Sequence, residues 1–263
     1  MRVTTLNLNG LRSARAKGLL PWLATRAPDL LCLQEVRSEP EPELFAELGY
    51  HSAWAPAKRP GYSGVALLAR WPLEDVQIGI GDPLIDEEGR WIAARIGRLR
   101  LVSLYLPSGS SGAERQAAKE RAMQLLTPHL LAPGPRILAG DYNIAHREVD
   151  LKNWRSNRQN SGFLPQERAW LDQLTSYSLS DVHQRLLGEG SCYTWWSQRG
   201  QAYQKDVGWR IDLQLASPDV AEGARAWLVD RAIRLSDHAA LSIDYDLPAG
   251  LLPQLPSGEE AGD

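Results

Sequence analysis

Short apolar runs recur along this chain, and most of them stop at a polar residue. "VTTL" reaches Asn7 and Asn9, "LLCLQ" reaches Glu35, "LVSL" reaches Tyr105, and "RILAG" reaches Asp141 and Asn143. "GWRIDLQLA" carries Asp212 within it, and Asp237 and His238 stand directly before "AALSIDY". Apolar runs this short, bounded by Gly, Pro, Asn or Asp, read as buried strands. An Asp after one strand is ordinarily a turn residue, because Asp and Asn bond their own backbone there. The same ending on several separate strands asks for more. Loops held by strand ends are where packed sheets present chemistry.

The spacing predicts strands over 3–8, 30–33, 64–70, 91–96, 99–106, 137–139, 210–216 and 240–245, and helices over 12–25, 42–48, 113–131 and 166–174. The Gly/Ser-rich "PSGSSG" precedes the long helix and Pro133 follows it, as start and stop signals. Strands alternating with helices describe an α/β chain with mixed or antiparallel sheets. At 263 residues the chain suits one large domain. It shows no repeat and no composition break, so 1–247 are expected to form a single domain. The Pro- and Gly-rich end from 248 to 263, acidic at its close, is expected to be a disordered tail.

Composition narrows the function classes. A formal charge of −3 excludes a general polyanion binder, so any nucleic acid must be met by a local basic patch. The two cysteines, Cys32 and Cys192, make no disulfide framework and point to a reducing, cytoplasmic setting. "MRVTTLNLNG" has no long apolar run, so neither a signal peptide nor a membrane anchor is expected. With 10 Trp against 2 Phe, much of the aromatic surface carries a polar N–H. The polar set at the strand ends offers one His among carboxylates and amides, with no Cys beside it. Such hard oxygen donors disfavour a zinc thiolate site and favour Mg²⁺ or Mn²⁺.

The segments "LNLNGLR", "PDLLCLQE", "GDYNIAH", "GWRID" and "SDHAAL" follow one another in an order that is specific. From its first residues to about Tyr245 the chain resembles the exonuclease III family of apurinic/apyrimidinic endonucleases, within the endonuclease/exonuclease/phosphatase fold. "DLKNWRSNRQNSGFLPQERAWL" and "YTWW" resemble a bacterial branch of it. The resemblance implies a four-layer α/β sandwich, two packed mixed β-sheets flanked by helices. It implies a metal-dependent DNA-repair nuclease, cutting 5′ to abasic sites or trimming 3′ ends of double-stranded DNA as a monomer.

Roles follow from the same resemblance. Asp141 would activate the attacking water, Asn143 would bond water or phosphate, and Asn7 would hold Asp141. Glu35 would ligate the metal, with Asp237 or Asn9 as second-site candidates. His238 would meet the scissile phosphate as an imidazolium, held by Asp212, because an adjacent carboxylate favours the charged ring. Tyr105 would donate to the phosphate or the nucleophile. Trp195, Trp209 and Ile211 would wall a pocket for a sugar without a base, whereas Trp196 is expected in plain core or surface packing. Arg12, Lys17, Arg90, Lys152, Arg155 and Arg158 are candidate phosphate contacts that position rather than read sequence.

One position departs from the family pattern. Ser108 follows "YLP" where many relatives carry Asn or Gln, which leaves the balance of abasic incision and 3′ trimming open. The fold also hosts lipid phosphatases and sphingomyelinases, so fold alone does not establish DNA as substrate. A catalytically dead binding module would have lost part of the polar set, and here the whole set stands.

Overall fold

The computed structural model describes residues 1–254. Two six-stranded sheets account for most strands. In chain order these strands are β1 (Arg2–Asn7), β2 (Leu30–Gln34), β3 (His51–Ala55), β4 (Val65–Ala69), β5 (Glu74–Ile78), β6 (Trp91–Ile96), β7 (Leu99–Tyr105), β8 (Arg136–Asp141) and β9 (Ser180–Asp181). A short hairpin, β10 (Trp195–Trp196) and β11 (Gly208–Trp209), then precedes β12 (Asp212–Ala216), β13 (Ala224–Asp230) and β14 (Ala240–Tyr245). The first sheet runs β13-β14-β1-β2-β4-β3 and the second β5-β6-β7-β8-β12-β9. Both are mixed: β1 and β2 are parallel, as are β7 and β8.

Alternation along each strand divides its side chains between two layers. Val3, Leu30, Cys32, Leu101, Ile137, Ala139, Leu241 and Ile243 meet between the sheets. Leu6, Leu31 and Leu33 face the other way, under Leu11, Leu19, Trp22 and Phe45 from helices Leu11–Ala16, Leu19–Arg26 and Pro42–Ala46. Val102, Leu104, Leu138 and Leu215 do the same under helices Ala113–Leu130 and Pro165–Tyr177. The result is helix, sheet, sheet, helix, the four-layer sandwich that the resemblance implies.

The middle layer changes character along the strands. Beyond the apolar residues, Thr5 Oγ1 donates to Gln34 Oε1 at 3.1 Å and Gln34 Nε2 donates to Ser103 Oγ at 3.0 Å, all buried. One step further come Asn7, Glu35, Tyr105 and Asp141. The parallel pairs bring their C-terminal ends to one edge, with Asn7 beside Gln34 and Tyr105 beside Asp141. β12 and β14 run antiparallel to β8 and β1, so their first residues arrive at the same edge. Asp212 thus lies opposite Asp141. Strand polarity alone collects the polar residues.

Several expectations are corrected. The helix expected over 12–25 is two helices, because Gly18 takes φ +99° and breaks the ladder. β3, β5 and β13 were not foreseen; they are edge strands, and their mixed polar sequences match an exposed face rather than a buried run. The start of the expected tail is anchored: Leu251 is buried, its carbonyl accepts from Arg98 N at 2.9 Å, and Trp71 Nε1 donates to Pro253 O at 2.9 Å. The rest of that expected tail, 255–263, lies outside the described residues.

Next to β12 sits a buried charge cluster. Arg210 Nε and Nη2 donate to Asp150 at 2.7 and 3.0 Å, and Nη1 and Nη2 donate to Asp181 at 3.1 and 2.8 Å. The neighbouring His183 ring is buried, and neither of its nitrogens has a partner among the described residues. Burial, aided by the Arg210 charge, pushes its pKa down to about 4. The native ring therefore stays neutral while the unfolded chain binds a proton below its ordinary pKa. Stability is complete above about pH 6.5 and falls by about 3 kcal/mol as the pH drops toward that native value. His183→Leu is expected to flatten this acid limb of the Tm profile; an unchanged limb would remove His183 as its source.

Candidate active site

The polar edge opens into a cavity of about 720 Å³ lined by Glu35, Tyr105, Asp141, Asn143, Trp195, Trp209, Ile211, Asp237 and His238, among others. Asp141 is only 1% exposed. Its Oδ2 accepts from Asn7 Nδ2 at 2.9 Å and its Oδ1 accepts from Asn143 N at 2.8 Å. The second bond closes the turn expected after the strand, so the turn and the site coexist in the same residues. Gly140 makes this possible, since a Cβ there would stand 1.9 Å from Leu104 O. Burial pushes the Asp141 carboxyl up from its ordinary range, and the facing His238 charge opposes this.

His238 is held from one side. Its Nδ1 donates to Asp212 Oδ2 at 2.9 Å, which leaves Nε2 facing Asp141 Oδ2 at 3.8 Å. Burial disfavours the charged ring, but Asp212 more than offsets this and pushes the pKa up to about 10. A cationic ring at neutral pH is a phosphate partner rather than a metal ligand. Tyr105 is likewise pushed well up, by burial and then by the Glu35 carboxylate, so its hydroxyl is a donor.

Glu35 Oε1 accepts from Asn7 Nδ2 at 2.8 Å, so one amide bridges Glu35 and Asp141. Its other oxygen accepts from the Arg37 guanidinium. Glu35, Asp141 and His238 each offer an atom within 4.8 Å of the others. With His238 occupied as described, two carboxylates remain, and a guanidinium already neutralises one of them. That donor chemistry fits a hard divalent cation. Asn9, Glu35 and Asn143 all hold positive φ without being glycine, three of ten such positions among the described residues.

The remaining expectations divide. Trp195 and Trp209 meet edge to face at 6.4 Å, and Ile211 packs with them beside Phe163 and Leu151. Trp196 is fully buried, which places it in the core rather than at the surface. Arg12, Lys17, Lys152, Arg155 and Arg158 are exposed, and Arg155 and Arg158 both stack on Trp154. Ser108 lines the cavity, its hydroxyl 2.9 Å from that of Ser110. Arg90 is a correction. It is 2% exposed, donates to Glu88 Oε2 at 2.6 Å and to Tyr105 O at 3.0 Å, and lies 4.5 Å under the Tyr105 ring. It supports Tyr105 and has no surface left for DNA. Asp237 and Asn9 line the same cavity, bonded to each other at 2.8 Å, and Asp237 is not among the three side chains grouped around Glu35.

Lys119 and Glu167 were missed. Both side chains are fully buried and pair at 2.6 Å. Lys119 Nζ also donates to Asn143 O at 2.8 Å, while Glu167 Oε2 accepts from Gly162 N and Leu164 N at 2.7 and 2.9 Å. The pair ties the Asp141 turn to the loop against Trp209. A signal existed: Lys119 stands at i with Ala122, Met123 and Leu126 at i+3, i+4 and i+7, on the helix's apolar stripe.

Comparison with known proteins agrees with this geometry. A model of the endonuclease/exonuclease/phosphatase family matches residues 4–238. The chain is 34% identical over 253 residues to the DNA repair nuclease APEX1 of Danio rerio, covering 92% of this chain and 81% of that protein. It is 31% identical over 248 residues to an exodeoxyribonuclease of Bacillus subtilis, covering 92% and 98%. Among solved structures, an AP endonuclease from Archaeoglobus fulgidus superposes with a TM-score of 0.87 at 26% identity, covering 94% of this chain and all of that one. A 3′ phosphatase from Neisseria bound to a product DNA hairpin gives 0.86 at 29%, covering 94% and 99%.

Proposed function

The chain belongs to the endonuclease/exonuclease/phosphatase family, and on that premise we propose that it is a metal-dependent DNA-repair nuclease. Its reaction is hydrolysis of phosphodiesters 5′ to abasic sites, at 3′ ends, or both. The observation that carries this is the buried Asp141, His238 and Asp212 array at the floor of a cavity walled by Trp195 and Trp209. Asp141, fixed by Asn7 and by its own turn, orients a water and takes its proton. His238, held charged by Asp212, meets the phosphoryl oxygens as negative charge builds on them. Tyr105, seated on Arg90, donates a hydrogen bond to the same group. Mg²⁺, with Mn²⁺ as substitute, is the divalent cation that Glu35 would hold beside Asp141. When bound it neutralises phosphate charge and stabilises the leaving oxygen.

The substrate is double-stranded DNA carrying an abasic site or a 3′ end. Arg12, Lys17, Lys152 and Arg155 are exposed, which supports them as phosphate contacts. Both cysteines are free thiols, which supports a cytoplasmic enzyme, and we read it as a monomer. No helix of the described residues is long and apolar enough to cross a membrane.

The test uses two labelled duplexes, one with a single abasic-site analogue and one with a recessed 3′ end. Cleavage of at least one is expected with Mg²⁺, with a loss of at least about a thousandfold in EDTA. Activity that survives rigorous chelation, or cleavage of neither duplex, would overturn the proposal.

A further inference from the structure

Asp237 lines the cavity, yet it is not one of the three side chains grouped around Glu35, and both its carboxylate oxygens are already bonded. Its Oδ1 accepts from Asn9 Nδ2 at 2.8 Å and from Ser236 Oγ at 3.1 Å, and its Oδ2 accepts from Trp195 Nε1 at 3.1 Å. Three donors therefore already converge on the group. Trp195 sits between two functional neighbours, with its ring 6.4 Å from the Trp209 ring and 6.4 Å from the His238 ring. Its backbone bridges His238 as well, and Trp196 N donates to Asp237 O at 3.1 Å. The Trp195 backbone is therefore held by the hairpin and its ring packs against Trp209 and Ile211, while the one directional contact of the indole N–H among the described residues is the bond to Asp237.

We propose that Asp237 is a positioning residue for Trp195, setting the cavity wall that admits a sugar without a base, and is not a ligand of the metal. The proposal rests on the nuclease reading of this site. A terminal sp³–sp² torsion such as the indole's is broad unless something fixes it. Asp237 fixes it, and Asn9 and Ser236 orient the carboxylate in turn. Removing the acceptor frees the indole to rotate into the cavity or away from it. Either movement alters the room left for a sugar without leaving the phosphate unheld. An Asn at 237 has one acceptor oxygen and a donor NH₂, so it cannot serve both Asn9 and Trp195. A Phe at 195 keeps a ring and loses the N–H.

Asp237→Asn, Trp195→Phe and the double variant test this. The first readout is the ratio of kcat/KM for abasic incision to kcat/KM for removal of an intact 3′ nucleotide. Each single variant is expected to lower that ratio about tenfold, the size of one lost hydrogen bond to a charged group. The double variant is expected to match the singles rather than multiply them. The second readout needs no turnover. In metal-free protein the Trp195 indole N–H resonance, assigned by its disappearance in Trp195→Phe, should shift clearly in Asp237→Asn. The third is Mn²⁺ binding followed by electron paramagnetic resonance, expected within about twofold of wild type in every variant.

An unshifted indole resonance, independent additive losses, or Mn²⁺ binding weakened tenfold in Asp237→Asn alone would overturn the assignment. Wild-type protein that cuts neither duplex would count against the nuclease reading, and the indole resonance still tests the positioning bond in that case.

Discussion

Asp141→Asn is expected to lower kcat for phosphodiester cleavage by about 10³- to 10⁵-fold while moving Tm by no more than a few degrees. The two effects separate because the residue does two things. In folding, the carboxylate is buried and accepts from Asn7 Nδ2 and Asn143 N. Asn has the same shape and one remaining acceptor oxygen, so one of those bonds is lost, at a cost of about 1 kcal/mol. Against that, a buried charge is removed, and burial already works against ionisation here. The terms oppose each other and the net is small. In the reaction nothing replaces the lost base, and the loss is confined to the transition state, so kcat falls while KM for DNA changes little. Steady-state kinetics and a melting curve on the same sample decide it. A variant keeping a tenth of wild-type kcat would remove Asp141 as the base, and a variant unfolded at room temperature would make its role structural.

What could be read in the sequence followed from how local the signal was. The short apolar runs ending in Asn7, Glu35, Tyr105 and Asp141 are local patterns, and strand polarity then gathers them at one edge. The outer edge strands β3, β5 and β13 were invisible because none makes a continuous buried apolar run: β5 has no buried residue, and the middle of β13 is exposed. Arg90 misled for another reason. In "EEGRWIAARI" an Arg beside acidic residues reads as surface, whereas its guanidinium lies under Tyr105, and only the tertiary contact tells the two apart. Asp237 and Asn9 show the limit of motif reasoning. Both line the cavity, but which donors a carboxylate meets depends on residues distant in sequence, here Trp195 Nε1. Lys119 was legible in principle, as a cation on an apolar helical stripe, and its partner Glu167 was not, since nothing local links 119 to 167.

Arg210 in "GWRID" is the residue whose loss should most damage the fold. Arg210→Met is expected to cost about 3–5 kcal/mol, the scale for removing one partner of a buried ion pair. The side chain is fully buried and is, among the described residues, the only cation bonded to Asp150 and Asp181, themselves 0% and 8% exposed. Burial pushes the Asp181 carboxyl up, and Arg210 more than offsets this to hold it below the usual range. For a chain of this size the cost corresponds to a fall in Tm of about 6–20 °C. The pH dependence carries the signature of the cause. Without the cation two carboxylates stand buried and unpaired, so the defect is largest near neutrality. It shrinks as the pH falls and protons neutralise them. Asp150→Asn added to Arg210→Met should recover part of the loss, because one stranded charge is gone. The consequence reaches the site through the chain itself: Arg210 stands between Trp209, which bridges Leu151, and Ile211 and Asp212, which holds His238. Denaturant titrations of wild type, Arg210→Met and the double variant, at neutral and mildly acidic pH, measure every term. A loss below about 1 kcal/mol, or a defect that does not shrink in acid, would mean that water or a rearranged side chain already satisfies the two carboxylates.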